Sequence, residues 1–211
     1  MIDVILCDDH ALIRRGIRDT LSDAPDIRVV GEAGDYGELR TLMRGTSCDV
    51  LVLDINLPGR SGLDALHALK DEGSAVKVLI VSMYPEDQYA IRALRGGAFG
   101  YVNKGGEPRQ IVDAVRTVAQ GRKYVTPEIA QMLVESLTAP VLETPHQKLS
   151  DRELQTLVMI ASGKRLADIA EELMLSPKTV SVYRARVLEK LQLANNSELT
   201  VYAIRNGLVG S

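Results

Sequence analysis

Over residues 3–120, short runs rich in β-branched residues alternate with amphipathic stretches. The runs are "DVILC" (3–7), "IRVVGEA" (27–33), "VLVLD" (50–54), "VKVLIVS" (76–82) and "GYV" (100–102). Between them lie helical patterns near 11–22, 36–44, 62–72 and 86–96, and another follows at 108–120. A continuous apolar run such as Val50–Leu53, closed by turn residues, reads as a strand covered on both faces. Strands alternating with helices imply a doubly wound parallel sheet with right-handed crossovers. Ligands of such sheets bind beyond the carboxyl ends of the strands, at a topological switch point.

The pattern then breaks. "TAPVLETPHQK" (138–148) has two prolines and no periodicity, and reads as a linker. No strand pattern returns after it; three or four helices fill 150–209. The fold class is therefore α/β followed by all-α, within the length of two ordinary domains. Apolar content of 45% and charged content of 25% are those of a soluble globular chain. No stretch can span a bilayer and no leader opens the chain, so the expectation is a cytoplasmic protein without a membrane partner. Cys7 and Cys48, at no metal-ligand spacing, are expected as packed thiols. The net charge of −3 hides an asymmetry: residues 146–211 hold nine Lys and Arg against seven Asp and Glu, the remainder 16 against 21. A basic module is attached to an acidic one.

With strand order 2-1-3-4-5, several chemical groups meet at one edge of the sheet. Asp8 and Asp9 follow the first strand, Asp54 ends the third, Ser82 ends the fourth and Lys104 follows the fifth. Like charges this close resist joint ionisation unless a cation offsets them. Few hard oxygen ligands with room for water suit Mg²⁺. A carboxylate in such a pocket can attack a phosphoryl group to give an acyl phosphate. Its transfer needs positioning and neutralisation of the equatorial oxygens, which a cation, Lys104 and the Ser82 hydroxyl could supply.

Residues 1–122 resemble the receiver domains of two-component response regulators, through "CDDH", "VLVLDINLPGRSGLDAL", "VLIVSMY" and "GGAFGYVNK". The resemblance implies a flavodoxin-like sheet with Asp54 as phosphoacceptor and a sensor histidine kinase as partner. It implies Asp8 and Asp9 as the acidic metal pair, with Asp54 and the Asn56 carbonyl completing the Mg²⁺ contacts. Ser82 takes the place of the switch hydroxyl, Tyr101 of the switch aromatic and Lys104 of the phosphate-sensing lysine. Asn56 and Tyr84 flank the path of the attacking water. One departure is Gly105 after Lys104, where many receivers carry proline.

In the helical part, "LSDRELQTL" (149–157) opens with a capping box, Ser150 with Glu153. "ADIAEELML" (167–175) is a second short helix, and "SPKTVSVYRARVLEKL" (176–191) starts with Ser at the N-cap and Pro at the first helical position. Helical spacing sends Val180, Tyr183, Val187 and Leu191 to the core and Lys178, Ser181, Val182, Ala185 and Arg186 to the opposite face. Such a face fits a major groove, although spacing alone equally allows a solvated surface. Residues 148–209 resemble the LuxR-type (NarL/FixJ) helix-turn-helix through "LSDRE", "IAEEL", "SPKTVSVY", "LEKL" and "ELTVYAIRNGL". The departures are Tyr183 where histidine is common and Leu166 where a polar residue is usual. With Thr179 and Arg184 added, the outward residues make up the candidate DNA contacts.

These readings give a receiver at 1–122, a helical extension and linker at 123–147, and a four-helix DNA-binding domain at 148–211. The function expected is a transcription regulator, switched by phosphorylation of Asp54 and by homodimerisation, and not a turnover enzyme. The alternative is a phosphorylation-independent regulator whose receiver serves dimerisation alone. A haloacid-dehalogenase-type phosphatase would need a second acid two residues after the nucleophile, where Asn56 stands.

Overall fold

The computed structural model describes residues 1–84, 86–138 and 145–209. It divides into two units, Met1–Thr138 and Ala139–Ser211. In the first, strands β1 (Ile2–Cys7), β2 (Ile27–Ala33), β3 (Val50–Asp54), β4 (Lys77–Ser82) and β5 (Gly100–Asn103) alternate with helices. The helices are α1 (Ala11–Ser22), α2 (Tyr36–Gly45), α3 (Gly62–Asp71), α4 (Glu86–Gly96), α5 (Pro108–Ala119) and α6 (Pro127–Thr138). The strands form one parallel sheet in the order β2-β1-β3-β4-β5, as expected.

Alternation along each strand divides the core in two. Val4, Leu6, Val50, Val52, Leu79 and Val81 pack with Ile17 and Leu21 of α1 and Ile111, Val115 and Val118 of α5. Ile5, Leu51, Leu53 and Ile80 take the intervening positions and are equally without exposed surface. Every residue of β3 is buried, so each Leu or Val there contributes about 1.5–3 kcal/mol over an exposed position. Local chemistry sets the helix starts. Asp35 accepts the Glu38 N–H at 2.8 Å to open α2, and Ser61 accepts the Asp64 N–H at 3.0 Å to open α3.

Beyond α5 the chain returns along the outer side of β5. The Tyr124 N–H donates to the Phe99 carbonyl at 2.8 Å, and Tyr124 bridges Gly100 as a one-residue parallel pair. A side chain at Gly100 would stand 2.9 Å from Tyr124 Cβ, which is why glycine holds this position. Thr126 Oγ1 then donates to Glu86 Oε2 at 2.7 Å, and α6 packs on α4.

Most of the expected linker lies at 139–144, outside the described residues; Pro145–Lys148 form a 3₁₀ turn. The second unit holds α7 (Asp151–Ala161), α8 (Leu166–Glu172), α9 (Pro177–Leu191) and α10 (Asn196–Arg205). The capping box of Ser150 and Glu153 is present on α7, and Ser176 caps α9 ahead of Pro177. α7 packs against α9 and α10, and α8 against α9, around Leu157, Ile169, Val180, Val187, Leu199 and Ala203. Val180, Val187 and Leu191 are buried as expected, whereas Tyr183 is only half-buried. At 3.6 residues per turn it falls on the margin of the apolar stripe. Among the described residues both cysteines are free thiols, and no helix is long and apolar enough to cross a membrane.

Candidate functional site

The carboxyl ends of β1, β3, β4 and β5, with the loops that follow them, bring the expected groups together. Lys104 Nζ lies 2.7 Å from Asp8 Oδ2 and 3.0 Å from Asp54 Oδ2, and all three side chains are at most 5% exposed. Each loop is held by its backbone. The Asp8 N–H donates to the Ala33 carbonyl at 3.0 Å, and the Lys104 N–H to the Ser82 carbonyl at 2.8 Å. The turn after Asp54 folds back so closely that a Cβ on Gly62 would stand 1.9 Å from the Asp54 carbonyl oxygen. No other residue type fits there, so the "PGRSG" segment shapes the pocket as much as the acids do.

Burial pushes the Asp54 carboxyl up to about 6; Lys104 opposes that rise and Asp8 adds to it. The Asn56 backbone N–H bonds the same carboxyl. Ser82 is fully buried at the pocket rim, where its Oγ accepts the Tyr84 N–H at 3.2 Å. Tyr101 is fully buried, and its hydroxyl donates to the Tyr84 carbonyl at 2.7 Å. Asn103 Nδ2 donates to the same carbonyl at 3.0 Å, so the β4–α4 connection is tied from β5 twice. Burial raises the Tyr101 hydroxyl well above the usual tyrosine range, which keeps it a donor. The Tyr101 ring therefore stands in a buried, inward position in the structure.

The donor set fits a divalent cation. One ligand atom each from Asp8, Asp9, His10 and Asp54 lies within 4.8 Å of the others. Asp8 Oδ2 and Asp9 Oδ1 are buried and accept no hydrogen bond, so the Lys104 contact to Asp8 is one of charge without hydrogen-bond geometry. His10 was not singled out from sequence. Its Nδ1 lies 2.6 Å from Asp9 Oδ1, although its position directly after the acids in "CDDH" was in plain view.

On α9, an open concavity of about 360 Å³ is lined by Ser176, Lys178, Thr179, Val182, Tyr183 and Arg186. Four of the expected DNA contacts, Lys178, Thr179, Val182 and Arg186, therefore share one surface. Ser181 and Ala185 are exposed outside it, and the Ser181 hydroxyl donates to the Pro177 carbonyl of its own helix at 2.9 Å. Arg184 is half-buried, with Nε bonded to Asn196 Oδ1 of α10 at 2.6 Å. Tyr183 joins this surface rather than the core.

The sequence matches the response regulator receiver domain family over residues 4–116 and the luxR family of bacterial regulatory proteins over residues 147–203. This chain belongs to the response regulators of the NarL/FixJ type. It is 40% identical to the response regulator UvrY of Escherichia coli (strain K12) over 209 residues, covering 99% of this chain and 96% of that protein. Identity to the response regulator GacA of Pseudomonas aeruginosa is 38% over 210 residues, covering 99% and 98%. RcsB from Salmonella enterica serovar Typhimurium, solved bound to the rprA promoter with the phosphomimetic BeF3-, superposes with a TM-score of 0.64 at 25% identity, over 95% of this chain and 97% of that one. A NarL/FixJ response regulator is a two-component transcription regulator with its own DNA-binding domain, not a metabolic enzyme.

Proposed function

We propose that this response regulator accepts a phosphoryl group on Asp54 from a sensor histidine kinase and, once modified, dimerises and binds DNA through α9. The observation that carries this reading is the meeting of Asp8, Asp9 and Asp54 with Lys104 and Ser82 at the carboxyl edge of the sheet. One Asp54 oxygen attacks phosphorus as the phosphorus–nitrogen bond of a phosphohistidine breaks; the imidazole leaves and an acyl phosphate remains. Lys104 stands where it can neutralise an equatorial oxygen, and the Ser82 hydroxyl, which accepts from Tyr84 and bonds the Tyr101 hydroxyl, can turn to donate to a phosphoryl oxygen. When bound, Mg²⁺ would be held by Asp8, Asp9, Asp54 and the Asn56 carbonyl, and would offset charge on the phosphoryl oxygens. Acceptance is stoichiometric, and Asn56 and Tyr84 govern how long the adduct lasts.

Within this reading the receiver spans 1–122, the extension and linker 123–147 and the DNA-binding domain 148–211, in a cytoplasmic protein. Lys178 and Arg186 hold phosphates, with Arg184 and Thr179 beside them, while Ser181, Val182 and Ala185 meet base edges. Incubation with acetyl phosphate and Mg²⁺ should add one base-labile phosphoryl mass, mapping to Asp54. Undiminished labelling of Asp54→Asn, or labelling in excess chelator, contradicts the proposal.

A second reading, DNA binding independent of phosphate, draws on one observation. Tyr101 is fully buried and its hydroxyl is satisfied by the Tyr84 carbonyl, a pose that needs no further partner. DNA affinity unchanged by acetyl phosphate and by Asp54→Asn would favour it.

A further inference from the structure

Arg14 of α1 reaches, from outside the pocket, the turn that carries both acids of "CDDH". Its Nη1 donates to the backbone carbonyl of Asp8, and its Nε donates to Glu32 Oε2 on β2 at 3.1 Å. The other Glu32 oxygen accepts from Arg18 Nη1 at 3.1 Å. The carbonyl that Arg14 holds belongs to the peptide joining Asp8 to Asp9. Because that peptide is planar, fixing its oxygen helps to place the Asp9 N and Cα, the point from which the Asp9 side chain departs. The Asp8 N–H is already tied to the Ala33 carbonyl of β2, so β2 and α1 together set the turn from both sides. A planar guanidinium can serve two acceptors in fixed directions, which an ammonium point charge cannot.

We propose that Arg14 is a positioning residue for the metal pocket: through the Asp8–Asp9 peptide it holds the Asp9 carboxylate where it can share a divalent cation with Asp54. The inference rests on the reading of this pocket as a Mg²⁺ site. Its sign separates it from a charge effect. Removing a nearby positive charge should by Coulomb's law strengthen cation binding, whereas losing the positioning bond weakens it.

The test uses the full chain and Mn²⁺ as probe, with free Mn²⁺ followed by electron paramagnetic resonance and melting temperature recorded alongside. Arg14→Met and Arg14→Lys are expected to weaken Mn²⁺ binding about tenfold, the scale of outer-shell changes at metal sites. Arg18→Met, which loses a Glu32 contact without touching the turn, is expected to bind as the unaltered chain does. Undiminished or tighter binding by Arg14→Met overturns the inference, as does equal weakening by Arg18→Met. Should Arg14→Met fail to fold, Arg14→Lys decides on the same criterion. Absence of Mn²⁺ binding by the unaltered chain, or full binding by Asp9→Asn, instead overturns the metal reading itself.

Discussion

Asp54 shows what a buried strand end costs and what it provides. With its carboxyl raised from 3.8 to about 6, the folded chain binds this proton more tightly than the unfolded chain does. Above pH 6 the buried charge therefore subtracts from stability; the loss fades as pH falls through 6 and is gone below the unfolded value. Asp54→Asn carries no charge at any pH. In excess chelator it should be the more stable protein at pH 7.5, by about 2–3 kcal/mol at most, with the difference closing toward pH 4. Urea titrations across that range check the sign. A wild type more stable than Asp54→Asn at pH 7.5 would mean that Lys104 more than offsets desolvation. The same residue is held at the pocket by a neighbour without a side chain, since Gly62 alone permits the turn beneath it.

The helix α9 presents two kinds of side chain that should fail differently. Lys178→Ala should weaken cognate and scrambled DNA alike and reduce the salt dependence by roughly one phosphate contact. Val182→Ala should keep the salt slope and lose about 1 kcal/mol of discrimination at one base position. Binding titrations at several salt concentrations separate them; equal slopes and unaltered preference in both variants would refute this division of the face. Such elements were legible in the sequence because their signals are local: an apolar period, a capping Ser150 or Ser176, a proline at the first turn. The strand-end acids were legible because topology alone brings those ends together. What period and cap do not encode is the margin of a stripe, and Tyr183 sits on one. Nor do they encode long-range partners. Arg14 meets Glu32 18 residues on, and the buried pose of Tyr101 depends on the Tyr84 carbonyl 17 residues back.

At the scale of the whole molecule, an acidic sheet unit and a basic helical unit share one chain, and paired half-sites on DNA call for two copies. Addition of phosphoryl oxygens beside Ser82, Lys104 and Tyr101 should bias the packing of β5 and its neighbouring helices toward self-association. Sedimentation velocity should show BeF3- shifting the chain from monomer toward dimer and leaving Asp54→Asn unmoved. Identical distributions across a wide concentration range would count against this. The path of the chain after α5 bears on solubility as well. β5 is an outer strand, and an outer strand with bare amides is a template on which other copies can polymerise. Tyr124 occupies that template at Gly100, with Thr126 fastening the segment behind it. A fragment ending at residue 122 would bare the β5 rim and invite fibre-like stacking, whereas one ending after α6 keeps its own stopper.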